Sequence, residues 1–229
     1  MAKKALLIGA TGLIGSHLLS YLLDAEQYDT VAVVGRRSTG VKHPKLVEHI
    51  CDFASMNRHP EIFACDDFYN CMGTTIKKAG SKDAFREVDY TYPLAAANLA
   101  LAGGAKSCWL VSSIGADITS SIFYLKTKGE VEKAFAEAGF DRTIIFRPAG
   151  LLGKRNEFRL KETVGIGFMK LISPLLVGGL KKNRPIEAQH VAYVMAHQPV
   201  NHVKGSRVFE SHEIQQIYDS MMMGCRYME

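Results

Sequence analysis

Apolar runs of strand length alternate with longer helical patterns along most of this chain. Six runs rich in Val, Ile, Leu and aromatic residues lie at 4–9, 30–35, 46–50, 68–72, 107–113 and 143–148. Apolar residues spaced three and four apart predict helices over 13–23, 83–101, 122–138 and 187–196. Strands that alternate with helices form βαβ units, which build a parallel sheet. We therefore predict an α/β protein with a doubly wound parallel sheet and helices on both of its faces.

The pattern changes after Pro148, where residues 149–185 mix glycine, charge and short helical runs without a clear strand. Ligands of open α/β sheets bind outside the carboxyl ends of the strands. We therefore expect 149–185 to form a small C-terminal, substrate-covering segment at that end. The length of 229 residues suits one sizeable core, so we predict a single domain over 1–229. No pattern can be interpreted after His202.

The composition, with 47% apolar and 22% charged residues, is typical of a soluble globular protein. No apolar run approaches the length of a membrane span, so no membrane partner is expected. The net charge of +5 is distributed over short basic groups and forms no patch interleaved with aromatic residues. A phosphorylated small molecule fits this distribution better than nucleic acid does, and we expect no nucleic-acid partner.

The cysteines and histidines indicate neither disulfides nor a metal. The five cysteines are scattered without a CxxC pair, and three of them lie in or beside strand-like runs. We therefore predict reduced, packed thiols in a cytoplasmic protein. The eight histidines form neither an HxxxH nor an HExxH motif, so no metal site is expected.

Three glycines with the spacing GxxGxxG follow the first predicted strand and open the first predicted helix. The sequence GATGLIG places Gly9 at the turn, Gly12 where a backbone can approach a pyrophosphate, and Gly15 where helix and strand pack closely. A turn that merely needs glycine for a positive φ is the alternative. The strand before and the helix after favour a dinucleotide site in a Rossmann-type sheet. Its predicted residues are Gly9, Thr11, Gly12, Leu13, Ile14 and Gly15.

The residues after the second predicted strand indicate which dinucleotide binds. An NAD site normally offers an Asp or Glu there for the ribose 2′-hydroxyl, whereas an NADP site offers a cation for the 2′-phosphate. This chain reads VVGRR, with Arg36 and Arg37 at that position and no acid beside them. A guanidinium is a planar fork that suits a phosphate. We therefore predict NADP(H) as the cofactor, with two solvated loop arginines as the alternative.

A tyrosine and a lysine lie four positions apart in IFYLKTKGE, at residues 122–130, on one face of a predicted helix. Such a pair is common by chance, so its meaning depends on context. Hydride transfer to a carbonyl needs a proton donor and a hydrogen-bond donor at the oxygen. A lysine ammonium one turn away stabilises a tyrosine phenolate and lowers its pKa from ~10. We predict Tyr124 as the acid-base group, Lys128 as its partner, and Ser113, with Ser112 as second choice, as the group that polarises the carbonyl.

Taken together, the glycine spacing, the serine pair that ends a strand in LVSS and the following YxxxK resemble the short-chain dehydrogenase/reductase superfamily. More narrowly, GRR, CMGTTIKKAGSKDAFREVDYTYPLAAANLA, VSSIGAD, FYLKTKGEVE and FRPAGLLGKR look like an atypical, NADP-binding branch. That branch includes the Tat-interactive protein oxidoreductases and their bacterial relatives. The likeness runs from about residue 3 to about residue 200.

The resemblance implies that NADP(H) lies across the carboxyl edge of the sheet, with the glycine loop at the pyrophosphate and the two arginines at the 2′-phosphate. It also implies that Lys128 donates to the nicotinamide ribose hydroxyls. The other implied cofactor contacts are Asp52 and Phe53 at the adenine, Cys71, Met72, Gly73 and Thr74 after the fourth strand, and Pro148 and Arg155 toward the nicotinamide. One position departs from the family pattern: Asp89 stands where related extended reductases often carry an asparagine, which leaves the proton relay through that helix open.

Two functions fit these residues. The first is an NADP(H)-dependent oxidoreductase that acts on a small carbonyl or alcohol substrate. The alternative is an NADP(H)-binding regulatory or redox-sensing protein with little turnover, which would have a protein partner. A nucleic-acid-binding domain is the weakest hypothesis for the function. Both a monomer and a homodimer remain compatible with the sequence.

Overall fold

The β-branched and aromatic runs form strands, as their composition favours. The computed structural model describes residues 3–153, 184–199 and 203–226. Within these ranges the strands are β1 (Lys3–Ile8), β2 (Tyr28–Gly35), β3 (Leu46–Ile50), β4 (Asp67–Asn70), β5 (Ser107–Val111), β6 (Arg142–Arg147), β7 (Leu151–Leu152), β8 (Ile186–Glu187) and β9 (Gly205–Glu210). The α-helices are α1 (Leu13–Asp24), α2 (Ile76–Ala79), α3 (Lys82–Arg86), α4 (Tyr92–Ala102), α5 (Phe123–Glu137), α6 (Ala188–His197) and α7 (Ser211–Arg226).

Within the described ranges the main sheet has seven strands in the order β3-β2-β1-β4-β5-β6-β9, and each neighbouring pair is parallel. The chain moves outward from β1 to β3 and then returns to the other side of β1, where Ile8 aligns with Asn70 of β4. The direction of winding reverses between β1 and β4, which opens a crevice at the carboxyl ends of these two strands. The predicted Rossmann-type, doubly wound sheet is confirmed.

Alternate residues of the central strands supply a core on each face of the sheet. On β1, Leu7 packs with the face that α1, α6 and α7 cover. Leu6 and Ile8 pack with the opposite face, where α4, α5 and the 3-10 helix Phe53–Arg58 lie. Strands buried on both faces read as continuous apolar runs, which is why β1 and β2 could be predicted from sequence.

The predicted helix over 83–101 is interrupted in the structure. A π-helical turn, Glu87–Thr91, separates α3 from α4. Pro93 in the first turn of α4 explains the change, because proline has no N–H to donate to the carbonyl of Asp89 four residues earlier. Asp89 lies within this turn and is buried.

The last strand and the last helix, β9 and α7, were not predicted from the sequence, and β9 completes the sheet. The tail after His202 contains β9, which pairs with β6, and the amphipathic helix α7. The sequence of β9, GSRVFE, buries only Phe209, so it lacks the apolar run that identifies a central strand. Most of the predicted substrate-covering segment, 154–183, lies outside the described residues. The short parallel pair of β7 and β8 joins the residues that flank it, with Leu151 aligned with Ile186.

A half-buried guanidinium ties α5 to β6 and to the edge strand β9. Arg147, the last residue of β6, donates from Nε to Glu132 Oε1 of α5 at 2.9 Å and from Nη1 to Glu210 Oε1 of β9 at 3.1 Å. Hydrogen bonding to Glu132 raises the pKa of the Arg147 guanidinium and outweighs the opposing effect of burial. A fork bonded to two carboxylates fixes the position of α5 against β6 and β9.

Candidate functional site

The glycine loop, residues 9–15, lies between the carboxyl end of β1 and the first turn of α1. Gly9 has a φ of +82°, and the Gly12 N–H donates to the Gly9 carbonyl at 2.9 Å. A Cβ on Gly15 would lie 2.1 Å from the same carbonyl oxygen, so α1 packs directly on the loop. A Cβ on Gly9 would lie 2.4 Å from the carbonyl carbon of Cys71. Each of these contacts requires glycine.

The first turn of α1 offers backbone donors to a ligand. Gly12 is the N-cap residue, no side chain caps the helix, and its first turn has no acidic residue. Thr11 and Gly12 are exposed, Leu13 is half-buried, and Ile14 is buried beneath the turn. Uncapped N–H groups and the positive end of the helix dipole attract an anion. The loop therefore fits the pyrophosphate of a dinucleotide.

The arginine pair follows β2 on an exposed loop next to β3. Arg36 and Arg37 are both exposed. Glu48 of β3 accepts hydrogen bonds from Ser38 Oγ at 2.6 Å and from the Thr39 N–H at 2.7 Å. These bonds, with that from Ser38 the strongest, lower the pKa of the Glu48 carboxyl. The carboxylate thus holds the loop in shape, a role that no sequence motif indicated.

The two predicted adenine contacts, Asp52 and Phe53, differ in their exposure to solvent. Asp52 is exposed and caps the 3-10 helix by accepting from the Ala54 N–H at 3.2 Å. The ring of Phe53 is buried and stacks on Tyr92, with 6.1 Å between the ring centroids. Burial, then Glu87 and Asp52, raises the pKa of Tyr92, and the cation of Arg36 opposes this shift.

The loop after β4, residues 71–74, is held at the switch point of the sheet by its backbone. The Cys71 N–H donates to the Ile8 carbonyl at 3.0 Å, and the Met72 N–H donates to Asn70 Oδ1 at 2.9 Å. The Thr74 N–H donates to Asp89 Oδ2 at 2.8 Å. Burial raises the pKa of the Cys71 thiol well above its ordinary value, which favours the neutral thiol. The loop and Gly9 lie side by side.

The tyrosine and the lysine lie one turn apart on α5. Tyr124 is half-buried, with its ring 5.7 Å from that of Phe85. Lys128 is only 5% exposed, and its Nζ lies 2.7 Å from Asp89 Oδ1. Burial works against the Lys128 charge, but Asp89, Tyr124 and Glu132 outweigh it and raise the pKa of Lys128 above its ordinary value. The lysine is therefore a buried ammonium next to the phenol.

The two serines after β5 differ in their accessibility. Ser113 is half-buried, and its Oγ donates to the Ile114 carbonyl at 3.3 Å. The Oγ of Ser112 is fully buried and has no hydrogen-bond partner among the described residues. Ser113 is therefore the more accessible of the two serines.

The last two predicted contacts follow β6. The Pro148 carbonyl accepts from the Ile114 N–H at 3.1 Å, which joins this part of the chain to the serine loop. Arg155 lies outside the described residues. The structure thus collects the glycine loop, the loop 71–74, Ser113 and the Tyr124–Lys128 pair at the carboxyl edge of the sheet. The described ranges contain no group of three or more His, Cys, Asp or Glu side chains that could hold a metal ion.

A parallel sheet of this order with a glycine loop at its switch point defines a dinucleotide-binding protein of Rossmann type. The chain belongs to the NAD dependent epimerase/dehydratase family, whose model matches residues 5–120. This result supports an NAD(P)-type cofactor. It also confirms the predicted resemblance to the short-chain dehydrogenase/reductase superfamily.

Individual relatives agree with this family. The chain is 39% identical over 164 residues to protein HTATIP2 of Rattus norvegicus, covering 70% of this chain and 67% of that protein. It is 33% identical over 217 residues to mitochondrial protein fmp52 of Aspergillus niger, covering 90% of each. Its fold matches the Bordetella bronchiseptica enzyme WbmH in complex with NAD+, with a TM-score of 0.68, 15% identity, and coverage of 100% of this chain and 83% of that one. The HTATIP2 match confirms the resemblance to the Tat-interactive branch.

The relatives correct the predicted cytoplasmic location. The FMP52 proteins of Candida albicans, Scheffersomyces stipitis, Debaryomyces hansenii and Aspergillus niger are all named as mitochondrial proteins. Scattered cysteines distinguish a reducing compartment from an oxidising one, but they do not distinguish one reducing compartment from another. In the part of the chain that the structure describes, no helix has the length and apolarity needed to cross a bilayer.

Proposed function

We propose that this chain is an NADP(H)-dependent oxidoreductase that acts on a small carbonyl or alcohol substrate. The observation that supports it best is the buried ammonium of Lys128, one helical turn from the half-buried phenol of Tyr124. A buried charge is costly unless it has a use or a partner, and such charges concentrate at functional sites. Its position at the carboxyl edge, opposite the glycine loop, is where a nicotinamide would be presented.

The residues that would hold the cofactor fit its parts. The uncapped N–H groups in the first turn of α1, which begins after Gly12, suit the pyrophosphate. Arg36 and Arg37 suit the 2′-phosphate, and Asp52 would border the adenine. When bound, the nicotinamide supplies or accepts the hydride. The loop 71–74 would lie along the cofactor between these two ends.

The chain's own groups handle the proton and the developing charge. In carbonyl reduction, the Tyr124 hydroxyl donates a proton to the substrate oxygen, and in alcohol oxidation the phenolate takes it back. The Lys128 ammonium stabilises the phenolate by its charge. The hydroxyl of Ser113 donates to the same substrate oxygen and stabilises the negative charge that develops there.

Turnover tests this proposal directly. The purified chain is mixed with NADPH and a panel of small aldehydes and ketones, and the loss of NADPH absorbance is followed. We expect the rate of NADPH oxidation to saturate with the concentration of at least one class of carbonyl. At equal cofactor concentration, the rate with NADH should be lower. The enzymatic proposal would be rejected if the chain bound NADPH tightly but neither oxidised NADPH with any carbonyl nor reduced NADP+ with any alcohol.

Replacing Arg36 and Arg37 by alanine is expected to weaken NADPH binding without weakening NADH binding. Each charge-assisted bond to the 2′-phosphate contributes about 1.5–3 kcal/mol, so the double replacement should raise the NADPH dissociation constant by at least roughly tenfold to a hundredfold. Fluorescence titrations with both cofactors measure this. Lys42→Ala, which removes one exposed cation from the following loop, controls for the loss of nearby positive charge that does not contact the 2′-phosphate. An equal loss for NADH and NADPH would contradict the assignment of the two arginines.

The regulatory alternative is favoured by one contact. The Asp89 carboxylate lies 2.7 Å from the Lys128 ammonium and neutralises part of the charge that would act on Tyr124. A weaker field at the phenol would slow proton transfer, and the protein would bind NADP(H) while turning over little substrate. In that case a protein partner should bind the loaded and unloaded chain with different affinities, as measured by calorimetry.

A further inference from the structure

Asp89 connects two parts of the candidate site. Its side chain is 2% exposed and lies in the π-helical turn between α3 and α4. Oδ2 accepts the Thr74 N–H at 2.8 Å, and Oδ1 lies 2.7 Å from Lys128 Nζ. A Cβ on Gly73 would lie 3.4 Å from Asp89 Oδ1 and 3.8 Å from Lys128 Nζ, so the loop passes directly over the ion pair.

We propose that Asp89 is a positioning residue that holds the ammonium of Lys128 in place and fixes it to the loop 71–74. The inference rests on the proposed function, because it assigns Asp89 to the machinery that supports Tyr124. One carboxylate forms an ion pair with the lysine and accepts a hydrogen bond from the loop, so a single side chain links α5 to the loop 71–74.

The geometry requires a carboxylate here. Lys128 is 5% exposed, and an unpaired ammonium in such a position loses its hydration without compensation. The groups that face it are Asp89 from the π-helical turn and Tyr124 and Glu132 from α5, while Gly73 contributes only backbone. Glu132 is already bonded to Arg147. Among the described residues, Asp89 is therefore the counter-charge that keeps the lysine protonated.

The π-helical turn supports the same conclusion from the backbone. Turns of this kind inside a helix are uncommon and occur frequently at functional sites. Here the turn contains the buried Asp89, while the neighbouring Tyr90 and Tyr92 are only partly buried against the core. A buried aspartate that accepts a backbone N–H and forms an ion pair with a lysine is unexpected in a helix that serves only to pack against the sheet.

Replacing Asp89 by asparagine is expected to lower the pKa of Lys128. The amide keeps an oxygen for the Thr74 N–H but carries no charge, so burial of the ammonium is no longer offset. An opposite charge at this distance accounts for about 1–3 pKa units. The lysine charge, which supports the Tyr124 phenolate, is lost as the pH rises through the lowered pKa. In an active enzyme the variant therefore loses rate at high pH, where the unmodified protein does not.

The measurement is an NMR titration of the full-length chain with 13C-labelled lysines, with the Lys128 signal assigned from its loss in Lys128→Met. It uses the protein without cofactor and does not depend on turnover. Glu130→Gln is the matched control, because it removes one negative charge from the same helix where that charge pairs with Arg86. We expect a fall in the Lys128 pKa in Asp89→Asn and none in Glu130→Gln. If the Lys128 pKa were equal in the unmodified protein, in Asp89→Asn and in Glu130→Gln, the inference would be overturned.

A second measurement applies if Asp89→Asn fails to fold. Each single variant leaves one buried charge unpaired, whereas Asp89→Asn with Lys128→Met leaves none. We expect the double variant to unfold at a higher urea concentration than either single variant, and purely additive losses would overturn the pairing. The outcomes distinguish the two proposals. If Asp89→Asn shifts the Lys128 pKa but the unmodified protein has no turnover, the proposed function is rejected. If the enzyme is active but Asp89→Asn leaves the Lys128 pKa unchanged, only the role of Asp89 is rejected.

Discussion

Replacing Tyr124 by phenylalanine is expected to lower kcat by ~10²- to 10⁴-fold, the range for loss of a general acid-base group. The change removes one hydroxyl and keeps the ring that packs 5.7 Å from Phe85, so the fold should be unaffected. The phenol oxygen is proposed to contact the substrate and not the cofactor phosphates, so the NADPH dissociation constant should stay nearly the same. Steady-state kinetics on the responsive carbonyl and a fluorescence titration with NADPH measure the two effects.

Tyr218→Phe is the control for this experiment. It removes the same hydroxyl from a tyrosine in α7 whose ring stacks on His190 at 3.8 Å, on the opposite face of the sheet from α5. This variant should retain full turnover. If Tyr124→Phe and Tyr218→Phe turned over substrate equally well, Tyr124 would have no role in proton transfer.

The candidate pair is rigidly supported, as a proton-transfer site requires. A Cβ on Gly129, which follows Lys128, would lie 2.4 Å from the Ile118 N atom, so α5 packs directly on the loop after β5. Arg147 fixes the same helix to β6 and β9 through Glu132 and Glu210. Asp89 fixes it to the loop after β4. Three contacts from different elements therefore hold the turn that carries the two side chains.

Much of this architecture could be predicted because its signals are local. The central strands are buried on both faces and read as apolar runs, and the glycine loop is identified by strand, spacing and helix together. Lys128 lies four residues after Tyr124, and helix geometry alone brings them to one face. Each of these features depends on residues that are close together in the sequence.

The features that escaped prediction depend on contacts between distant residues. The strand β9 joins the sheet through pairing with β6, while its own sequence buries one side chain. Glu48 of β3 accepts hydrogen bonds from Ser38 and Thr39 in the loop that follows the two arginines, and nothing in its local sequence indicates this. Asp89 is buried in a π-helical turn that precedes Pro93, and its partners are 15 residues away at Thr74 and on another helix at Lys128.

The most damaging single change to the fold and the cofactor site together should be Gly9→Ala. The residue has a φ of +82°, where an alanine is strained by roughly 1–2 kcal/mol. Its Cβ would lie 2.4 Å from the Cys71 carbonyl carbon and 2.5 Å from the Met72 N atom, which are backbone atoms that cannot rotate away. Relief requires moving the loop 71–74, at a further cost of about 1–3 kcal/mol. We expect a loss of about 2–5 kcal/mol in the free energy of unfolding by urea denaturation, together with loss of NADPH binding.

Gly205→Ala separates the two causes of this loss. Gly205 has a similar φ of +73°, but a Cβ there would meet nothing within 4 Å, and it lies at the amino end of β9, away from the glycine loop. Its substitution should cost only the backbone strain and leave NADPH binding intact. The difference between the two variants therefore measures how tightly β1 and the loop after β4 pack at the switch point. If Gly9→Ala cost no more than Gly205→Ala, the close approach of Gly9 to Cys71 would not be a constraint, and the loop could move to admit a side chain.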